Sequence, residues 1–444
     1  MFKILGRLLS YWRFHWLAVT LALSAAIGSL AADTFKPLAT RYGIDNGVIK
    51  DDKHALVIAC FLIVGLYAVR GILSYCQSYL TEYLSQKVAY DLRTDLYNHI
   101  QSLSFSFHDK AQTGQLMSRV TADVETSRNF LSMSLINLVV TFGRFVFVAV
   151  IVFSLNWQLA ATVLLALPLV LWISITTSQK LRPLWLAVQT QTGAYSAVLQ
   201  EMIAGMRVVQ AFTAEDREFE NFRKANWAVR EQSLEANRIS SFRQPMITFC
   251  LQFLLVVVLA YGGVLVIHGH MTIGTLFAFV QYNGQLTSPV RVIGGLLNTS
   301  SRAAAAGERI FEILDTNSEV SDKPGAVPLA SVSGHVQYED VSFGYGRDLM
   351  VIQNINIDAQ PGQTIALLGP VGSGKTSVLN LLPRFYDVTK GSVLIDGVNI
   401  RDVTLESLRA NVAIVMQDVF LFNGTIRDNI SYGRPAATDE EITE

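Results

Sequence analysis

Six apolar runs set the terms on which this chain can fold. They extend from Trp16 to Leu38, Ala55 to Leu80, Leu131 to Leu155, Leu159 to Ser178, Met246 to Ile267 and Ile273 to Leu297. Each is long enough to cross a hydrocarbon core about 30 Å thick as a helix. Peptide groups inside lipid find no water, and a helix satisfies all of them within one segment. Composition agrees: 16% of the 444 residues are charged and 51% are hydrophobic, whereas a soluble globular chain carries about a quarter charged residues. A chain of this length is expected to hold two or three domains.

The net charge of −1 gives no electrostatic footprint for nucleic acid, and no nucleic-acid partner is expected. Cys60, Cys76 and Cys250 all fall in apolar stretches without a CxxC pair, so they read as packing residues. Met1 to Trp16 mixes Lys3, Arg7 and Arg13 with Phe2, Leu5, Leu8 and Trp12, and a long apolar run follows it. That pattern suits an interfacial amphipathic helix better than a cleaved signal peptide.

Lysine and arginine placement predicts orientation. The stretch between the fourth and fifth runs holds Lys180, Arg182, Arg207, Arg217, Arg223, Lys224, Arg230, Arg238 and Arg243; that between the second and third holds Lys87, Arg93, Lys110, Arg119 and Arg128. The connections Asn156–Gln158 and His268–Thr272 hold neither residue type. The positive-inside rule puts the N-terminus, both long connections and everything after the sixth run in the cytoplasm. Glu82–Ser102 and Thr190–Arg243 keep helical spacing, with breaks expected at Ser104–Gly114 and Ala211–Asp216.

Arg70 and Arg144 lie inside the second and third runs, where a guanidinium facing lipid would be expensive. Two readings stand: a cavity for polar or anionic groups, or structural pairing with a carboxylate or helix carbonyls. Asp33 and Lys36 are expected to snorkel toward the interface. Phe249, Phe253, Phe277, Phe279 and Tyr282 fit either contact with an apolar substrate or helix packing.

Composition shifts after the sixth run. Pro324, Gly325, Pro328 and Gly334 mark a linker, and short β-like runs follow at Val336–Phe343, Ile352–Ile357, Thr364–Leu368, Ser392–Ile395 and Val412–Val415, with a helix expected over Lys375–Pro383. Between the third of these runs and the helix stands Gly369-Pro370-Val371-Gly372-Ser373-Gly374-Lys375-Thr376, followed by Ser377. The string satisfies G-x-x-x-x-G-K-[ST] in the strand–loop–helix setting of a phosphate-binding loop. Its glycines let backbone amides approach phosphate oxygens, Lys375 offers a point charge, and the Thr376 hydroxyl is suited to Mg²⁺.

With these residues in view, the chain resembles an ABC exporter half-transporter, and the resemblance covers essentially all of it. Phe107-His-Asp109, Thr113-Gly-Gln-Leu-Met-Ser-Arg119 and Asp123-Val resemble the family's first cytoplasmic loop, and Glu201 to Phe212 resembles the second. Ala305 to Leu314 resembles the exit from the sixth span. Val341-Ser-Phe-Gly-Tyr345 resembles the A-loop, which implies that Tyr345 stacks on adenine. Val415-Met-Gln417 and its sequel resemble the Q-loop, which implies that Gln417 reaches Mg²⁺ or the attacking water.

The implied fold is an all-α six-helix transmembrane domain over 1–315, a linker over 316–335, and the N-terminal portion of an α/β P-loop nucleotide-binding domain over 336–444. The implied ligands are ATP and Mg²⁺. The implied partners are a second half-transporter, membrane lipid and a hydrophobic or amphipathic substrate such as a drug, lipid or peptide. The expected location is a bacterial cell (inner) membrane. No LSGGQ-type string, Walker B acid or switch histidine occurs in 336–444, so no catalytic residue is assigned and the domain is expected to be incomplete at Glu444. A truncated, nucleotide-binding but non-hydrolysing regulatory subunit is the alternative.

Overall fold

The computed structural model describes residues 1–345, 350–417 and 419–444, and only the backbone of 133–135, 287–294 and 296–298. The chain divides into two compact units: Met1–Asn98 with Gly114–Asp315, and His99–Thr113 with Thr316–Glu444.

The first unit is helical throughout. Helix α1 (Phe2–Ser10) buries Leu5 and Leu8 and leaves Phe2 exposed, the split an interfacial helix requires. The long helices are α2 (Trp16–Tyr42), α3 (Lys53–Ser102), α4 (Leu135–Leu155), α5 (Trp157–Ala204), α6 (Glu215–Ile267) and α7 (Ile273–Leu314). Among the described residues, five helical stretches are long and apolar enough to cross a membrane: Phe2–Val48, Lys53–Ser102, Thr113–Leu155, Trp157–Ala204 and Glu215–Ile267. The sixth run, Ile273–Leu297, lies partly outside the residues whose side chains are described.

Side-chain caps set the sharp breaks. Asn156 separates α4 from α5, and its Oδ1 accepts a hydrogen bond from the Leu159 amide at 3.0 Å. Thr272 caps α7 in the same way through the Thr275 amide. Asp45, beyond the end of α2, accepts from the Gly274 amide at 2.8 Å and from the Thr272 hydroxyl at 2.6 Å. Only glycine fits at 274, because a Cβ there would lie 2.6 Å from the Arg41 carbonyl oxygen.

The apolar core of this unit joins α4, α5, α6 and α7 through Val148, Val152, Val163, Val258 and Phe279. Tyr282 is fully buried and donates to the Thr34 carbonyl at 2.7 Å. Phe279 and Tyr282 are therefore packing residues, while Phe249, Phe253 and Phe277 are exposed. Further along α7, Arg309 grips both carboxylate oxygens of the buried Asp123 at 2.8 and 2.5 Å.

Charges within the spans depart from the snorkelling expected of Asp33 and Lys36. Asp33 is buried, and three cations converge on it: Lys36 one turn away on α2, Arg70 of α3 at 3.3 Å and Arg144 of α4 at 3.6 Å. A carboxylate enclosed by cations from three helices has no reason to reach for the interface. Arg70 and Arg144 follow the pairing reading, yet one carboxylate balances only one of three positive charges.

The second unit is built on an antiparallel sheet ordered β2-β1-β3-β4, from β1 (Val336–Phe343), β2 (Ile352–Ala359), β3 (Lys390–Ile395) and β4 (Val398–Asn399). Helix α8 (Lys375–Leu381) lies over its core, which includes Val341, Phe343, Val378, Leu381, Val393 and Leu408. The Tyr338 hydroxyl donates to the Val378 carbonyl at 2.9 Å and ties β1 to α8. Asp396 accepts from the Ser333 and His335 amides at 2.6 and 2.9 Å, and these backbone hydrogen bonds hold its pKa low.

Two expected strands are not in a ladder. Thr364–Leu368 and Val412–Val415 pair with no neighbour among the described residues. Leu367 and Val412 touch the core, but Leu368 and Val415 are almost fully exposed. Apolar pattern supplies the inward face of a strand; a ladder needs a second backbone as well.

Removing the central carboxylate tests the cluster in the first unit. Asp33→Ala should destabilise the protein in lipid nanodiscs by about 2 kcal/mol, below the ~3–5 kcal/mol of a fully buried pair because Arg70 and Arg144 are partly exposed. In a thermal-unfolding double-mutant cycle, Arg70→Ala should have less effect in the Asp33→Ala background than alone. Strict additivity would show that the two side chains do not interact.

Candidate nucleotide site

The phosphate-binding string forms a tight loop between the core-lining Leu367 and α8. Gly372 and Gly374 take φ of +86° and +91°, a region costly for side-chain-bearing residues. At Gly374 a Cβ would also lie 2.6 Å from Cγ2 of Ile352, so both φ and space require glycine. Lys375 Nζ donates to the carbonyls of Gly369 and Pro370, each at 2.8 Å, and reaches Ser373 Oγ at 3.4 Å. The ammonium is thus held over the loop by neutral acceptors, which phosphate oxygens would outcompete as anions. Val371 and Thr376 point to solvent, which leaves the Thr376 hydroxyl free to meet a ligand.

Tyr345 follows β1 and turns toward α8. Its hydroxyl and Ser377 Oγ are hydrogen-bonded at 2.9 Å, so the buried Ser377 hydroxyl is used on the tyrosine. The ring meets Phe343 and Tyr386 edge-on, with centroids 4.9 and 5.2 Å away. It remains almost half exposed, with surface left for a planar base. Gln417 is exposed, and no hydrogen bond among the described residues joins it to the loop. The structure therefore brings together Tyr345, Ser377 and the loop Gly369–Thr376.

Sequence reading missed Phe385 and Tyr386. The short helix Phe105–Lys110 packs here: Phe105 lies 4.2 Å from Phe385 between ring centroids, and the Tyr386 hydroxyl donates to Asp109 Oδ2 at 2.5 Å. Burial and the Asp109 carboxylate push the Tyr386 phenol well above its ordinary pKa, so it remains a donor. The available signal was Arg384-Phe385-Tyr386-Asp387 directly after a helix, aromatic residues between charges outside any regular element.

Comparison with known proteins fits both units. Residues 19–290 match the ABC transporter transmembrane region, and residues 352–444 match the ABC transporter family. The chain is an ABC transporter. An ATP-dependent lipid A-core flippase of Syntrophus aciditrophicus is 34% identical to it over 97% of this chain and 71% of the flippase. A fatty acid ABC transporter ATP-binding/permease protein of Mycobacterium bovis is 36% identical over 86% of this chain and 60% of that protein. An uncharacterised ABC transporter ATP-binding protein of Bacillus subtilis is 33% identical over 95% of this chain and 70% of its own length.

The family makes ATP the ligand to test against the loop. The residues fit: the glycines leave a cradle that a Cβ would fill, and Lys375 supplies a positive charge whose present partners are neutral. ATP brings most of the ligands of a Mg²⁺ ion through its own phosphates and water, so one protein hydroxyl at Thr376 suffices. No group of three or more His, Cys, Asp or Glu suited to a metal occurs among the described residues.

In equilibrium binding of a fluorescent ATP analogue, Lys375→Ala should weaken affinity about tenfold or more. Tyr345→Ala should weaken it as well, and Tyr345→Phe, which keeps the ring and loses only the Ser377 hydrogen bond, should weaken it much less. Equal loss in the two tyrosine variants would mean that the ring does not stack on the base.

Proposed function

We propose that this chain is one subunit of a dimeric ATP-driven exporter that moves an amphipathic substrate across a bacterial cell (inner) membrane. The observation that carries the reading is one chain holding both membrane-spanning helices and a phosphate-binding loop with a lysine poised over it. In this reading 1–315 forms a six-span domain with two cytoplasmic helical hairpins, 316–335 links it to the cassette, and the N-terminus and the nucleotide unit are cytoplasmic. The partner is a second half-transporter, either another copy or a related chain. Tyr345 stacks on adenine, Gly369 to Ser377 hold the triphosphate, and Thr376 and Gln417 serve Mg²⁺.

Two observations favour a substrate with an acidic headgroup. Lys36, Arg70 and Arg144 share the single carboxylate of Asp33, which leaves two positive charges among the spans. Among its relatives are a lipid A-core flippase and a fatty acid transporter. Lipid is therefore favoured over drug or peptide.

Hydrolysis is proposed to require groups beyond those in 336–444, since no LSGGQ-type string and no Walker B acid follows Gln417. The second reading is a subunit that binds nucleotide without hydrolysing it. Purified 444-residue protein in lipid should bind ATP yet show no turnover above background, and extension through a complete cassette should restore turnover. Turnover by the 444-residue protein that is abolished by Lys375→Ala would overturn this account. Orientation has its own test: cysteine labels at Asp109 and Glu215 should report the cytoplasm and one at His270 the opposite face. His270 on the same side as Glu215 would rule out the six-span count.

A further inference from the structure

A cavity of about 700 Å³ opens beside Tyr345 in the second unit, within the size range of small-ligand sites. Tyr345, Phe343 and Tyr386 give it an aromatic wall, and Asn380 lines it one helical turn past Ser377. A turn of helix is about 5.4 Å, so the cavity begins just beyond the phosphate loop, where a base joined to a bound triphosphate would lie. Its other wall comes from the short helix Phe105–Lys110, through Ser106, Asp109 and Lys110.

The polar lining is rich in acceptors. Among the described residues, Asp109, Glu319 and Asp387 line it with Lys110 as the one cation. Asp109 is fixed in place, because Tyr386 donates to its Oδ2 at 2.5 Å while Phe105 is anchored on Phe385. The Tyr386 hydroxyl is the donor in that bond, so Asp109 accepts in it. An acceptor-only carboxylate beside an aromatic wall favours a base edge that donates hydrogen and repels one that presents a carbonyl.

We propose that Asp109, on the loop between the second and third apolar runs, reads the base of the bound nucleotide by accepting a hydrogen bond from the 6-amino group of adenine. The proposal rests on the reading that Lys375 and its loop hold the triphosphate and Tyr345 stacks on the base. It makes the loop His99–Thr113 part of the nucleotide site and a specificity determinant. Inosine triphosphate tests the claim, since its base presents a 6-oxo acceptor in place of the 6-amino donor, with the accompanying proton on N1, and keeps the same ribose and triphosphate.

The test is competitive displacement of a fluorescent ATP analogue from the full 444-residue protein in nanodiscs, with ATP, inosine triphosphate and inorganic tripolyphosphate as competitors. The unsubstituted protein should prefer ATP to inosine triphosphate about tenfold. Asp109→Asn, whose amide can donate as well as accept, should bring that ratio near one and leave tripolyphosphate affinity unchanged. Tyr386→Phe should lower the ratio partially, by freeing the Asp109 carboxylate. If Asp109 serves only to dock the helix, Asp109→Asn and Tyr386→Phe will weaken both nucleotides equally at constant ratio, and the proposal falls. A ratio of one in the unsubstituted protein overturns it too. Lys375→Ala separates the two readings: it should lose tripolyphosphate as well as both nucleotides, and unchanged tripolyphosphate binding would reject the phosphate site itself.

Discussion

The peptide backbone's need for hydrogen-bond partners governs both units of this protein, in opposite ways. In the first unit, segments built for lipid find every partner inside their own helix. The helices therefore run on without interruption, as α3 does from Lys53 to Ser102 and α6 from Glu215 to Ile267. Where one must stop, a side chain replaces the missing partner: Asn156 at the start of α5, Thr272 and Asp45 at the start of α7. In the second unit, strands draw their partners from other strands, and a segment without a neighbour does not join the sheet however apolar it is.

That difference accounts for what could be read from the sequence. Helix existence and the breaks at Asn156 and Thr213 follow from local pattern, because the helix bond is local; Thr213 takes a φ of +51° where a turn was expected. Val336–Phe343, Ile352–Ala359 and Lys390–Ile395 were legible because they pair with one another. Thr364–Leu368 was misjudged because no local pattern announces whether a second strand will come alongside. The turn at Gly372 and Gly374 was legible, since backbone conformation there, rather than a distant partner, demands glycine.

Long-range polar contacts were the least legible. Asp33 and Arg70, and Asp123 and Arg309, meet across large sequence separations through the packing of whole helices. A charge in an apolar run tells that a partner exists, not which one. The same holds for His99–Thr113: the sequence places it in a cytoplasmic connection of the 1–315 domain, yet its aromatic and acidic side chains find their partners in Phe385 and Tyr386. Hydropathy reports which solvent a segment avoids. It carries no information about which surface receives it.

Two contacts hold that segment within the second unit. Phe105 on Phe385 is a tight apolar contact, and Tyr386 to Asp109 is a short hydrogen bond to a charged acceptor, the stronger class of such bonds. Tyr386 also meets Tyr345 edge-on, and Tyr345 is bonded to Ser377 next to Lys375 and Thr376. Tyr345 and Tyr386 therefore belong to one aromatic cluster, and the Tyr386 hydroxyl ties that cluster to Asp109. Asp109 lies only a few residues after the end of α3, so this segment is joined to that long helix by covalent chain, while its side chains are satisfied by Phe385 and Tyr386. Continuity of the helix and packing of the side chains are separate constraints, and here they assign neighbouring residues to different units.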